Sequence, residues 1–139
     1  MDHPVSDTEY RALAEARYRI RRFLNFSEAN ARAVGLEPQQ HQLLLAIRGL
    51  PQDAQPTIGV LAERLQIHHN SAVELVNRSS ARGLLQKRPG QRDRREVLLT
   101  ITARGRRLLE KLAVRHRAEL RSVAPTLLGA IAALEKDAS

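Results

Sequence analysis

The 139-residue chain contains no cysteine and no tryptophan. Without cysteine there is no disulfide, no thiolate-ligated zinc, no iron–sulfur cluster, no thiol nucleophile and no thiol redox switch. Aromatic residues are scarce: Tyr10, Tyr18, Phe23 and Phe26 are the only four, all near the N-terminal end. A stacking platform for unpaired bases is therefore poorly supplied, and a nucleic-acid partner fits better as a duplex than as a single strand. No apolar run approaches the length of a membrane span. The polar opening, residues 1–9, does not read as a signal peptide, so a cytoplasmic protein is the expectation. No nucleophile–base pair, metal cluster or glycine-rich phosphate loop stands out. The chain does not read as an enzyme, and neither cofactor nor metal is expected.

What is present is a foldable composition with a lopsided charge. Hydrophobic residues make up 42% and charged residues 27%, which places the chain among globular proteins. Lys and Arg total 23 against 15 Asp and Glu, a net charge of +8. The excess is concentrated. Residues 78–107 hold ten basic side chains (Arg78, Arg82, Lys87, Arg88, Arg92, Arg94, Arg95, Arg104, Arg106, Arg107) and only two acids, Asp93 and Glu96. The rest of the chain is balanced. A solvated basic face would account for such a run, but so would a polyanionic partner.

Periodicity orders the chain. Residues 6–34 read as a long helix, with Leu13, Ala16, Ile20, Phe23, Leu24, Ala31 and Val34 at helical spacing and Gly35 as its stop. A second helix starts near Pro38 and runs over 39–48. PQDAQP (51–56) is a loop. Thr57 caps a short helix over 58–65, a turn follows at 66–69, and a further helix covers about 70–82 before Gly83. Then the period changes: 84–88 and 96–101 read as strands joined by the polar turn PGQRDRR (89–95). Thr102 caps a long helix, and Pro125 is expected to break it and open a last one.

Two short helices, a turn and a basic hairpin make a winged helix-turn-helix. The second helix of such a pair fits the major groove, and the hairpin reaches an adjacent phosphate ribbon or minor groove. The expected fold class is mainly α with a small β-hairpin wing, a winged helix-turn-helix with N- and C-terminal dimerisation helices. The chain reads as one domain over 1–139. The winged unit spans about 38–101, and the dimerisation helices about 6–34 and 102–137. The apolar stripes of the terminal helices need burial, and packing two subunits together supplies it. A two-fold dimer matches a pseudo-palindromic operator with half-sites roughly one or more turns of about 10 bp apart.

The stretch 61–102 resembles the MarR family of bacterial winged-helix regulators. LAERLQI (61–67) is similar to the first helix of the pair, HHNSAVELVNR (68–78) to the recognition helix, and ARGLLQKR (81–88) to the first wing strand. DRREVLLTITARG (93–105) matches the Asp-x-Arg wing signature and the Leu-Thr-x-x-Gly strand-to-helix pattern, with Ile101 standing where Leu is usual. The resemblance covers nearly the whole chain. It implies a homodimeric DNA-binding transcriptional regulator, usually a repressor, which in many members is released by a small, often aromatic, ligand. A constitutive regulator or a nonspecific architectural DNA-binding protein without ligand response is the alternative. Two residues depart from the family's pattern. Ser79 stands where a large apolar residue is usual, on the inward face with Ala72, Leu75 and Val76. Glu74 places a carboxylate on the outward face; it either accepts from cytosine N4 or pairs with Arg78 four residues on, and spacing favours the intrahelical pair.

The candidate DNA-binding residues are His68, His69, Asn70, Ser71, Val73, Glu74, Asn77 and Arg78 on the recognition helix, and Arg92, Asp93, Arg94 and Arg95 in the wing. Asn reads adenine, Arg reads guanine or holds phosphate, and Val73 touches a thymine methyl. Asn70 or Ser71 equally serves as a helix cap. By resemblance, Arg95 is the wing arginine that enters the minor groove, with Asp93 orienting it or stiffening the turn. His68 and His69 diverge on a helix and have no third ligand, and His41 with His116 likewise lacks further donors, so no metal is assigned. Tyr18, Arg19, Phe23 and His41 are the candidates for a ligand cleft, placed there by the resemblance alone.

Overall fold

The computed structural model describes residues 3–136. Its elements are α1 (Asp7–Ala33), α2 (Pro38–Arg48), α3 (Ile58–Leu65), α4 (His69–Ala81), β1 (Leu85–Pro89), β2 (Val97–Ile101) and α5 (Ala103–Lys136). The mainly helical architecture with one antiparallel hairpin is the expected one. Position 137, expected at the end of the last helix, lies outside the described residues. Among the described residues no helix is long and apolar enough to cross a membrane. The chain divides into two compact units: Ala31–Leu112, and a second unit drawn from residues 1–30 and 113–139.

Local chemistry sets most boundaries. Ser6 and Glu9 form a reciprocal capping box at the start of α1, with Glu9 N donating to Ser6 Oγ (3.1 Å) and Ser6 N to Glu9 Oε1 (2.9 Å). The helix closes on paired turn bonds, Gly35 N to Arg32 O (2.9 Å) and Leu36 N to Ala31 O (2.9 Å). The same pair of bonds ends α4 at Gly83 and Leu84, and ends α3 at Gln66 and Ile67. Thr57 Oγ1 accepts from Val60 N (3.2 Å) and caps α3, as its place in the sequence requires. Thr102 Oγ1 does two things at once. It accepts from Gly105 N (3.1 Å) at the start of α5 and donates to Gly83 O (2.6 Å) just past the end of α4.

Pro125 does not break the last helix; it lies inside α5. A proline there removes one N–H and leaves the carbonyl of Arg121 without its helical donor. Arg121 and Pro125 are both exposed, so that carbonyl is not buried without a donor, and the helix continues. The strands pair in the register Leu85↔Ile101 through Pro89↔Val97, one residue later at each start than expected. Thr57 adds a single bridge to Leu98, and Leu99 N donates to Pro56 O (2.9 Å).

The winged unit, Ala31–Leu112, holds two apolar clusters. One gathers Ala31, Leu36, Leu44, Leu84, Ile101, Leu109 and Leu112; the other gathers Leu43, Leu61, Leu75, Val76, Leu85 and Leu99. Neighbouring residues on one element therefore serve different clusters: Leu43 and Leu44 on α2, Leu84 and Leu85 at the start of the hairpin. Gly105 sits where α5 presses on this junction. A Cβ there would lie 2.2 Å from Leu84 O, which is why the strand-to-helix step ends in glycine. In the terminal-helix unit Ala12 is buried, whereas Leu13, Ile20, Leu24, Leu120, Leu128 and Ile131 are well exposed.

Ser79 faces inward, as its spacing on α4 requires, and is fully buried. Its hydroxyl donates to Leu75 O (2.8 Å), one turn back on the same helix. The site is closed on all sides, so three added carbons must displace neighbours. Ser79→Leu is expected to lose about 1–3 kcal/mol of stability through overpacking. Ser79→Ala, which gives up only a bond to an already paired carbonyl, should stay within about 1 kcal/mol. Chemical denaturation of both variants measures this, and a stabilised Ser79→Leu would show that the core had room.

Candidate nucleic-acid interface

Helix α4 is held by one face. Ala72, Leu75, Val76 and Ser79 are buried. At 100° per residue, the ridge opposite that face is Asn70, Glu74 and Asn77, all exposed. Ser71 and Arg78 are exposed beside it, Val73 is half-buried, and His68 and His69 are exposed at the N-terminal end of the helix, toward its buried side. Six of the eight candidate residues on this helix therefore lie on or next to the ridge, and the two histidines do not. Neither Asn70 nor Ser71 caps the helix. The N-cap is His68, two and three residues earlier, and its side chain makes no capping bond. The first N–H groups of α4 are consequently open at their solvent end.

The expected Glu74–Arg78 pair does not form. Arg78 turns instead to Glu37, the residue before α2, with Nε to Oε2 and Nη2 to Oε1 both at 3.3 Å. A two-pronged contact suits the planar guanidinium better than a single surface bond along its own helix. Glu74 is left without a hydrogen bond or ion pair among the described residues. Close by, Arg82 Nη1 donates to the buried Gln40 Oε1 (3.0 Å), which also accepts from Glu37 N (3.1 Å). Asn77 Oδ1 accepts from Lys87 Nζ of β1, tying the recognition helix to the wing. Glu37, Gln40, Arg82 and Lys87 were not singled out from the sequence. Glu37 lies 41 positions from its partner, and no local pattern connects the two.

The wing turn is built on Asp93. Its Oδ1 accepts from Arg95 N (3.0 Å) and from Arg95 Nε (3.3 Å). Gly90 N donates to Glu96 O (2.8 Å) and Glu96 N to Asp93 O (3.1 Å), closing the loop. A Cβ on Gly90 would stand 2.5 Å from Asp93 O, so only glycine allows this closure. Asp93 therefore bonds both the backbone and the side chain of Arg95 within the turn. Arg92, Arg94 and Arg95 are all exposed, and the Arg95 side chain is 94% accessible.

The candidate ligand residues are less coherent. Tyr18 is exposed, with the guanidinium of Arg19 at 5.4 Å and that of Arg22 at 5.8 Å from its ring centre. Arg19 is bonded to Glu15 (2.7 Å) on the same helix. Phe23 meets His116 edge-on (5.8 Å), and His116 Nε2 is 2.8 Å from Ser27 Oγ. An open apolar groove of about 460 Å³ on α1 is lined by Leu13, Ala16, Arg17, Ile20, Arg21 and Leu24, and takes in none of these residues. His41 is buried in the winged unit. Among the described residues no group of three or more His, Cys, Asp or Glu side chains could hold a metal ion.

Comparison with known proteins follows the same line. The sequence finds no match among curated proteins. The family model described as MarR family matches residues 34–96. Among solved structures, AbsC, a MarR family transcriptional regulator from Streptomyces coelicolor, is 19% identical with a TM-score of 0.72, over 88% of this chain and 82% of its own. The MepR–DNA complex of S. aureus is 16% identical with a TM-score of 0.67, over 80% of each chain. CouR from Rhodococcus jostii RHA1, bound to p-coumaroyl-CoA, is 23% identical with a TM-score of 0.61, over 70% of this chain and 67% of its own. The fold is the one these structures share, and residues 34–96 of this chain are similar to the MarR family model.

Proposed function

We propose that the protein is a sequence-specific double-stranded-DNA-binding transcriptional regulator, acting as a homodimeric repressor and without enzymatic activity. The observation that carries this reading is the exposed polar ridge of α4, followed in the chain by the segment 78–107, which holds the whole net charge and whose wing arginines Arg92, Arg94 and Arg95 face solvent. In this reading α4 enters the major groove, with base edges met by its N-terminal half. The uncapped N–H groups at His69–Ser71 meet a phosphate, helped by the positive end of the helix dipole. Arg95, presented by Asp93, enters a minor groove, where a narrow A·T-rich stretch concentrates negative potential. MepR, solved with DNA, supports the docking mode by analogy of fold.

Release by a small aromatic ligand is the finer part of the proposal. It draws on CouR, solved with p-coumaroyl-CoA. A regulator with no ligand response is the second reading, and it is favoured by the α1 groove, which Tyr18, Arg19 and Phe23 do not enter. Adding aromatic carboxylates and aryl-CoA thioesters to the preformed DNA complex decides between them by whether fluorescence anisotropy falls.

The exposed apolar residues of the terminal-helix unit support self-association. Sedimentation at micromolar concentration should give about twice 15.6 kDa. A monomer that stays monomeric on DNA would remove the palindromic-site argument.

Arg95→Ala should weaken binding to cognate and scrambled duplexes by similar factors and lower the salt slope by about one. Asp93→Ala, which frees Arg95 without removing it, should cost less. Anisotropy across a salt series measures both, and an unchanged slope for Arg95→Ala would mean that the wing does not touch DNA.

Glu37→Gln should release Arg78. Its expected signature is a stability loss of about 1 kcal/mol or less, since the pair is half-exposed. Nonspecific duplex affinity should rise with it, as the freed guanidinium reaches a phosphate. If affinity and salt slope both stay put, Arg78 serves only to hold α4 to α2.

A further inference from the structure

We infer that Glu74 is the base-selecting side chain of α4, accepting a hydrogen bond from the exocyclic amino group of a cytosine in each half-site; the inference rests on the duplex-binding function proposed above. Four observations converge on it. Glu74 lies at the centre of the exposed ridge, diametrically opposite the buried face of α4. Its flanking ridge residue Asn77 is held by Lys87, and the cation at the next turn, Arg78, is held by Glu37. Glu74 itself has no partner among the described residues, although the segment that begins four residues on carries a net charge of +8. Helical side chains lean toward the helix N-terminus, so Glu74 extends over the turn of Asn70, the end of α4 that meets the bases.

A lone carboxylate at that place repels the phosphates on both sides of the groove. It is tolerated only where a donor meets it. The major-groove edges differ in what they offer: guanine presents N7 and O6 and thymine presents O4, all acceptors that repel a carboxylate. Adenine presents its amino group beside the acceptor N7, so attraction and repulsion fall side by side. Cytosine presents its amino group with no acceptor on the same base. A carboxylate therefore selects cytosine chiefly by penalising the other three bases, which is specificity through repulsion as much as attraction.

Selection from a random duplex pool, with sequencing of the bound fraction, tests this with the full-length protein and its Glu74→Ala and Glu74→Gln variants. The wild type should enrich cytosine at one position of each half-site, with a preference of roughly 5- to 150-fold. Glu74→Ala should lose that preference at that position alone and bind scrambled duplex more tightly. Glu74→Gln carries both an acceptor and a donor and should move the same position to adenine. The side chain is exposed, so circular dichroism melts of all three proteins should coincide. A selective wild type whose sequence profile survives unchanged in Glu74→Ala overturns the inference and leaves the duplex-binding function standing. A wild type that enriches no sequence overturns sequence-specific binding and the inference together.

Discussion

Everything at the interface depends on the burial of one side of α4. Leu75 and Val76 lock that side into the cluster shared with Leu43, Leu61, Leu85 and Leu99, and Ala72 and Ser79 are buried on the same face. A helix fixed by one stripe has no freedom to rotate, so the opposite stripe is fixed as well. Three polar contacts complete the constraint: Arg78 to Glu37, Arg82 to Gln40 and Lys87 to Asn77. They act from α2 on one side and from the wing on the other. The exposed ridge is thus a consequence of packing, and the residues that face out do so because their neighbours are held in.

The polar contacts also divide α4 in two. Its C-terminal half spends Asn77, Arg78 and Arg82 on internal partners. Its N-terminal half, from His69 to Glu74, keeps its exposed polar groups unspent. A basic run in a sequence does not announce this division. Among the ten cations in 78–107, Arg78, Arg82 and Lys87 bond Glu37, Gln40 and Asn77, and Arg106 bonds Ile101 O, while Arg92, Arg94 and Arg95 of the wing remain at the surface. Charge alone marks the region, and geometry assigns the roles within it.

What was legible in the sequence was local. Thr57, Gly35, Gly83 and Thr102 each act within a few residues of their own position, and each boundary they mark falls within a residue or so of its expected place. The change of period after Gly83 marked the hairpin, but strand starts slipped by one because Leu84 N closes α4 on Ser79 O and Glu96 belongs to the turn through Asp93 and Gly90. Pro125 misled because proline breaks a helix by default, yet an exposed position lets water replace the missing donor. The Arg78 partner was illegible for a different reason. A four-residue spacing offered Glu74, and only the fold brings Glu37 close enough to compete. The wing lay between these cases: Asp93 and Arg95 are two apart, so their bond was within reach of a motif, while Lys87 to Asn77 needed the sheet to be laid against the helix. The candidate ligand residues rested on no spacing at all, and they converge least.

The hairpin has one further property. Its root is buried at Leu85, Leu99 and Ile101 and pinned by Thr102 and Gly105, whereas from Gln86 to Pro89 and from Gln91 to Glu96 every residue but Gly90 is exposed. Its two strands differ in support. β2 is held along its length, with Leu98 bridged to Thr57 and Leu99 N bonded to Pro56 O. The open edge of the sheet among the described residues is therefore β1, and its Lys87, Arg88 and Pro89 are the charged and proline side chains that keep an open strand edge from pairing with another chain.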